Sequence, residues 1–554
     1  MKRNLTILLV ALLVVAMAAC SPGAPTTPAS TEKTSAPSTA EKADKTEPVS
    51  EANEPTAVEP PPHETLRMML WGDWKKTEEV LAEFENLTKD TLNLSIDWTF
   101  IPLADYREKL PLMMSTGEEL DICFDAEWIT LKTNIANGLY NELDSYFEDA
   151  SNKGLQTFDK DMVQANRYSG KIYAIPFMET YVDTSCIFYR GDLREKYGME
   201  PFTSDADVIA FFDKVLAEEE GMMPIALDAR RGWREFGYNA HQKAEKNIFG
   251  VGTEGCALDV LLSDDHSQAL DAMLVLNWGY GGEAEEAYAD WPIDKDFHLY
   301  NNLNHVSLTK YVETDILLQS DRTGVYVAGK AAATEGTLAN MADWNLRLKA
   351  SVPDAWTEFY ATIPAQREQA KGKSATTFKA GNFMAFPYQS KKLDRSIAFI
   401  NWVHESKENH DLFAHGIEGT HWIAVGDDQY DLPAGVDASN NYTAFPYQLT
   451  WNANYMRLPV GTSDAIINQM AWEKDPSSFY VSPMTGFNFD PTPVATELAK
   501  VGALDDDIVN IIYCGQVDDP EAMLVDYYNK CMAQGLDAIK AEVLKQLNVH
   551  LATK

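Results

Sequence analysis

At 554 residues the chain is long enough for several sub-cores, which argues for two or more lobes rather than one compact module. Its 45% hydrophobic and 11% aromatic content excludes a disordered or fibrous protein. With 84 acidic against 46 basic residues the formal charge is -38, and no Lys/Arg cluster supplies the basic stripe of a nucleic-acid binder, so the excess acid reads as a solvated face.

Lys2 and Arg3 form a basic start, and Ile7 to Ala19 is wholly apolar, shorter than the roughly 20 residues that span a bilayer. This pattern predicts an export signal. Its end, Met17-Ala18-Ala19-Cys20, resembles the bacterial lipobox, which implies removal of residues 1–19 and diacylation of Cys20. The alternative is ordinary secretory cleavage with Cys20 unmodified. Two acyl chains, at about 0.8 kcal/mol per buried CH2, would hold the protein on a membrane. From Ser21 to Pro62 the chain is dominated by Pro, Ser, Thr, Ala, Glu and Lys, with nothing large and apolar except isolated Val, so residues 20–62 read as a disordered tether. No later segment reads as a transmembrane helix.

The folded part opens with an apolar strand at Leu66 to Leu70. A helix follows over Thr77 to Leu87, with Val80, Leu81, Phe84 and Leu87 at helical spacing. Leu92, Leu94, Ile96, Trp98 and Phe100 then alternate as a strand, completing a parallel crossover unit. Next come a helix around Tyr106 to Met114, a turn at Gly117, a strand at Leu120 to Phe124, and a helix ending at Asn137-Gly138. This alternation predicts α/β lobes. Ligands of open sheets sit outside the carboxyl ends of the strands. There the sequence places Trp71-Gly72-Asp73-Trp74, Asp125-Ala126-Glu127-Trp128 and, after Ile172 to Phe177, Glu179-Thr180-Tyr181, each setting an aromatic ring beside a carboxylate.

Cys123, Cys186, Cys256, Cys514 and Cys531 are odd in number and widely spread, which is no disulfide scaffold, although Cys514 and Cys531 could pair across a helix hairpin. His404, His410, His415 and His421 crowd into eighteen residues, but their spacing fits neither HExxH nor a zinc finger, so they read as surface or hydrogen-bonded core residues and no metal is expected. GxSxG and Walker patterns are missing.

Leu120-Asp121-Ile122, Asn137-Gly138-Leu139, Leu143-Asp144 and Ser169-Gly170-Lys171-Ile172-Tyr173-Ala174-Ile175-Pro176 together resemble the first lobe of family 1 extracellular solute-binding proteins of ABC importers. Cys186-Ile187-Phe188-Tyr189-Arg190-Gly191-Asp192-Leu193 and Gly329-Lys330-Ala331-Ala332-Ala333 resemble later segments of that family, as does the Lys392 to Trp402 helix with Glu405-Ser406-Lys407-Glu408-Asn409 after it. Gly416-Ile417-Glu418-Gly419-Thr420-His421-Trp422, with Pro483 and Gly486-Phe487-Asn488-Phe489-Asp490, resembles the LipO-like lipoproteins of Gram-positive bacteria, which end in a characteristic C-terminal domain. The resemblance implies an α/β, two-lobed periplasmic-binding-protein fold of type II, like that of maltodextrin-binding protein, with an interlobe cleft and a hinge. It implies one lobe from 63–180 plus 382–424 and another from 181–381 plus 425–554. It further implies a monomer on the extracytoplasmic face of a Gram-positive membrane, held there by lipid alone, that hands a carbohydrate to permease subunits. The resemblance implies no cofactor, no nucleic acid and no catalysis.

A sugar ring offers an apolar face and a rim of hydroxyls, so its site needs aromatic platforms edged by planar polar groups. The candidate platforms are Trp71, Trp74, Trp128, Trp233, Trp278 and Trp451, with Tyr181 beside them. Rim candidates are Asp73, Glu127, Glu179, Arg234, Glu335 and Asn452, while Trp98 and Trp402 fit core positions. An acidic ligand would need Arg231, Arg234 or Arg322 for its carboxylate. Two other readings stay open: a cell-surface glycoside hydrolase, which would bring two carboxyls to about 5 to 9.5 Å, and a binder of a peptide or other small solute.

Overall fold

A computed structural model of the chain describes residues 60–230, 232–233, 247–253, 255–274, 305–444 and 448–554. Strand β1 (Glu64–Trp71), helix α1 (Thr77–Thr88) and strand β2 (Leu94–Ile101) form the expected crossover unit. The two strands are parallel, with Glu64 opposite Leu94 and Trp71 opposite Ile101. Helical spacing turns Val80 and Phe84 inward, and Phe84 meets the rings of Phe399, Trp402 and Phe413; Leu87 is 55% exposed at the helix end. Helix α2 (Leu103–Thr116) closes on Gly117, whose φ of 71° suits a residue without Cβ, and strand β3 (Ile122–Ala126) follows.

The first-lobe sheet also contains β4 (Ala174–Pro176) and β12 (Asn382–Ala385), in the order β2-β1-β3-β12-β4. Only β12 runs against its neighbours. The other four strands therefore end along the edge where β12 begins. Helix α3 (Leu131–Ala136) lies just past that edge.

A second lobe is built on the antiparallel sheet β10 (Thr357–Ala361), β5 (Ser185–Arg190), β9 (Ala333–Thr337). Its central strand is buried on both faces, as an apolar run without alternation requires. Ile187 and Tyr189 join a core with Phe211 and Phe212 of helix α4 (Asp205–Glu218), which starts on a Ser204/Asp207 capping box. Cys186 and Phe188 point the other way, against Met341, Trp344 and Leu348 of helix α5 (Met341–Ser351).

The chain crosses between the lobes at 177–184 and again between β10 and β12. It re-enters the first lobe through helices α6 (Leu393–Glu405) and α7 (Lys407–Ala414), and Tyr442, Leu449 and Trp451 still belong to the first core. Helix α8 (Asp464–Lys474) then places Met470 in the second lobe.

Residues 248–274 and 484–551 share a core of their own. Strands β6 (Ile248–Gly252), β7 (Ala257–Leu262) and β8 (Ala269–Leu274) form a meander. Helices α9 (Ala495–Tyr513), α10 (Pro520–Ala533) and α11 (Leu536–Leu551) pack with it. Ile539, Val543, Leu547 and Leu551 recur every fourth residue of α11, so one stripe faces this core. No helix of the described residues is long and apolar enough to cross a membrane.

Candidate functional site

The loop after β3 is shaped from inside. Asp125, fully buried, accepts hydrogen bonds from the Tyr140 hydroxyl (2.6 Å), Asn134 Nδ2 (3.0 Å) and the N–H of Thr130 (3.2 Å). Burial raises its carboxyl to about 6, with these donors opposing the rise. The tight turn so formed carries Glu127 and Trp128 out past the sheet edge.

There Trp128 meets the edge of Trp71, the last residue of β1, with ring centroids 6.5 Å apart and planes at 86°. Trp128 Nε1 donates to Asn382 Oδ1 at 3.1 Å, and the Arg107 guanidinium lies over its ring at 5.3 Å. Trp128 remains 39% exposed. The backbone of Trp71 is fixed by Gln448, whose amide exchanges two hydrogen bonds with it at 2.9 and 2.7 Å. Glu127 accepts from Tyr168 at 2.9 Å and pairs with Lys132 (3.1 Å) and Lys379 (3.3 Å). Although burial works the other way, the two ammoniums hold its carboxyl near 2. Glu179 accepts from the N–H groups of Gly381 and Asn382, both at 3.0 Å, and from Asn382 Nδ2 at 2.7 Å. Burial lifts its carboxyl to about 7 against those donors.

Of the residues expected from sequence, Trp71, Glu127, Trp128 and Glu179 thus gather around Asn382 at the sheet edge, and Asp73 lies exposed just beyond β1. Others are placed elsewhere. Trp74 is a core residue, stacked on Phe100 at 5.2 Å and edge-on to Trp98. Trp233 is sealed in the second-lobe core beside Phe212. Trp451 is buried in the first core, and the fully buried Asn452 bridges to Met178. Tyr181 packs on Phe378 and Phe479 and reaches Asp159 at 3.3 Å. Glu335, buried, and Asp228 both engage Arg322. Arg231, Arg234, Trp278 and Cys20 lie outside the described residues. Sequence reasoning missed Asn382, Arg107, Lys132, Lys379 and Gln448. Only Arg107 carried a signal, being on the helix that follows the end of β2.

A cavity of about 670 Å³ opens between the lobes. Leu338, Ala342 and Trp356 form one wall, and Trp422, Tyr430 and Arg457 form the other, with the Arg457 guanidinium 5.0 Å over the Trp422 ring. The crowded histidines serve the first lobe. His404 and His410 donate to the carbonyls of Leu449 (3.2 Å) and Thr450 (2.6 Å), and His421 Nδ1 accepts from the Ile417 N–H at 2.9 Å. Burial depresses His404 to about 3, so it stays neutral. Among the described residues no group of three or more His, Cys, Asp or Glu is disposed to hold a metal ion, and the five cysteines are buried without a disulfide.

Residues 73–409 match the bacterial extracellular solute-binding protein family, and residues 483–552 match a domain of unknown function, DUF3502. A carbohydrate ABC transporter substrate-binding protein of Streptococcus pneumoniae is 20% identical over 498 residues, covering 88% of this chain and 91% of that protein. The N-glycan transport solute binding protein NgtS of Streptococcus pneumoniae, in complex with Man1GlcNAc, superposes with a TM-score of 0.65 at 16% identity, over 90% of this chain and all of that one. An HMO binding ABC-transporter associated solute binding protein from Bifidobacterium longum infantis superposes at 0.51 with 11% identity, over 88% and 99% of the two chains. The expected two-lobed α/β fold is therefore the fold this chain has, and the protein belongs to the bacterial extracellular solute-binding proteins, with a C-terminal DUF3502 segment.

Proposed function

We propose that this protein is the capture component of an ABC importer, tethered through a diacylated Cys20, and that it binds an oligosaccharide between its lobes and passes it unchanged to permease subunits as a monomer. The observation that carries this reading is the perpendicular Trp71–Trp128 pair at the carboxyl edge of the first-lobe sheet, rimmed by Asn382 and Glu127. Aromatic faces beside planar polar groups match the two surfaces of a sugar ring. The interlobe cavity, with Trp422 and Tyr430 on its wall, is a separate space that Trp71, Glu127, Trp128 and Asn382 do not line. Names of the similar proteins, which mention carbohydrate, N-glycan and HMO, support the same class.

Glu127 near 2 and Glu179 near 7 invite comparison with the split carboxyl pair of a glycosidase. Their contacts oppose it: Glu127 is held by two lysines, and both oxygens of Glu179 accept hydrogen bonds from the crossing strand. The test is calorimetry of the full chain against a panel of plant and host oligosaccharides, followed by product analysis of the same mixtures. Binding without products supports the reading. Products would replace it with a hydrolase, and absence of any binding would end the carbohydrate assignment.

A further inference from the structure

The structure carries an excess of positive charge at the sheet edge of a protein whose net charge is -38. Lys132 and Lys379, with side chains only 5% and 22% exposed, share the single carboxylate of Glu127, which leaves one ammonium charge unmatched. Arg107 adds a second cation. Its guanidinium lies over Trp128, its Nε is sealed from water without a hydrogen-bond partner, and it makes no ion pair among the described residues. Of the nearby acids, Glu179 is held by three N–H donors of the crossing strand, Asp125 is buried against Tyr140 and Asn134, and Asp73 stands in solvent, so none forms an ion pair with Arg107. Arg322, the described arginine that sequence offered for an acidic ligand, is consumed by Asp228 and Glu335.

An unpaired guanidinium in a partly dry site is costly until it meets an anion, and it meets a planar carboxylate best, through two parallel N–H bonds. The adjoining Trp128 ring supplies the apolar platform for the sugar that bears that group. We infer that the preferred ligand is an acidic oligosaccharide, its carboxylate received by Arg107 with Lys379 completing the field, and this inference rests on the carbohydrate reading above. Uronic and sialic acids share the required chemistry, and the test separates them.

Calorimetry of the full chain at pH 7 would compare tri-galacturonate with its carboxyl-reduced form, and sialyl-lactose with lactose. The expected result is at least a tenfold preference for the acidic member of one pair, which identifies the sugar acid. Arg107→Gln should cut that preference about tenfold, and Arg107→Lys should retain part of it, since Lys keeps the charge but loses the fork. If Arg107→Gln does not fold, judged by its melting transition, Lys379→Gln provides the same comparison. Equal or tighter binding of the neutral members overturns the inference and leaves the carbohydrate reading standing. Failure of all four sugars, together with the broader panel, removes both.

Discussion

Glu179 and Asn382 are joined twice, because one carboxylate oxygen accepts both the backbone N–H and the side-chain amide of Asn382, at 3.0 and 2.7 Å. The other oxygen holds Gly381. A single side chain in the first crossing therefore fixes the start of β12 at the end of the second, and Asn382 in turn orients Trp128 through its Oδ1. Lobe connection and ring placement are mechanically one unit.

Replacing Glu179 by Ala leaves the Gly381 and Asn382 donors without their acceptor. The expected cost is about 3 kcal/mol or more, taking roughly 1 to 3 for each of the three donors left unsatisfied. Denaturant titration measures it, and small-angle scattering should report a wider range of interlobe separations. An unchanged midpoint would show that water replaces the carboxylate at no cost.

The two classes of tryptophan separate by substitution. Trp128→Ala, at a half-open position, should leave the melting temperature nearly unchanged while weakening glycan binding by about 2 kcal/mol, roughly thirtyfold. Trp74→Ala empties a ring-shaped space among Phe100 and Trp98 and should destabilise the fold by about 3 to 5 kcal/mol. Paired calorimetry and thermal melts check both; a stable Trp74→Ala protein that fails to bind would move Trp74 into the site.

Glu473 sets a pH dependence. It is 2% exposed, accepts the Thr184 N–H at 3.0 Å, and its carboxyl is raised to about 8 by burial first and by the Asp183 charge second. The folded chain keeps this proton to higher pH than the unfolded chain, whose carboxyl titrates near 4.5, so this group makes the protein lose stability as pH rises from about 4.5 to about 8. Glu473→Gln retains an acceptor for Thr184 without the charge. Its stability should match the parent at pH 5 and exceed it at pH 8, by on the order of 1 to 3 kcal/mol. Parallel pH profiles for the two proteins would refute this.

Removing residues 483–554 strips the β6–β8 sheet of its helical cover and exposes Leu258, Val260, Ala272 and Leu274. The truncated chain should bind a hydrophobic dye and be cleaved within 248–274 by dilute protease. The isolated C-terminal segment, lacking the sheet, should show no cooperative melt. A cooperative transition there would establish it as an independent domain.

Periodicity made the first lobe legible. The alternating run from Leu92 to Phe100 and the helical spacing of Val80, Leu81 and Phe84 have one physical solution each, and β2 and α1 follow them within two residues. The site was legible only where local order along the chain decides it: Trp71, Glu127, Trp128 and Glu179 sit on turns that end strands. Asn382 and Lys379 enter from over 200 residues downstream of Glu127 and Trp128, through a crossing whose register depends on β12 pairing with β3, which no local pattern encodes. Trp74 and Trp233 read as platforms because composition cannot tell a ring at a strand end from a ring folded beneath it. The boundary near 425 was likewise out of reach, since Leu449 and Trp451 return to the first core and the segment after 484 finds its partner strands in an earlier insertion.

That last arrangement has a temporal side. Leu274 ends the meander and Ala495 begins the helices that cap it, so 221 residues must be added before the sheet is covered. At about 5 to 20 residues per second of synthesis, its bare apolar surface waits on the order of ten to forty seconds. The newborn polypeptide thus carries an adhesive patch through much of its own manufacture, and only the arrival of the tail, the final part to be made, silences it.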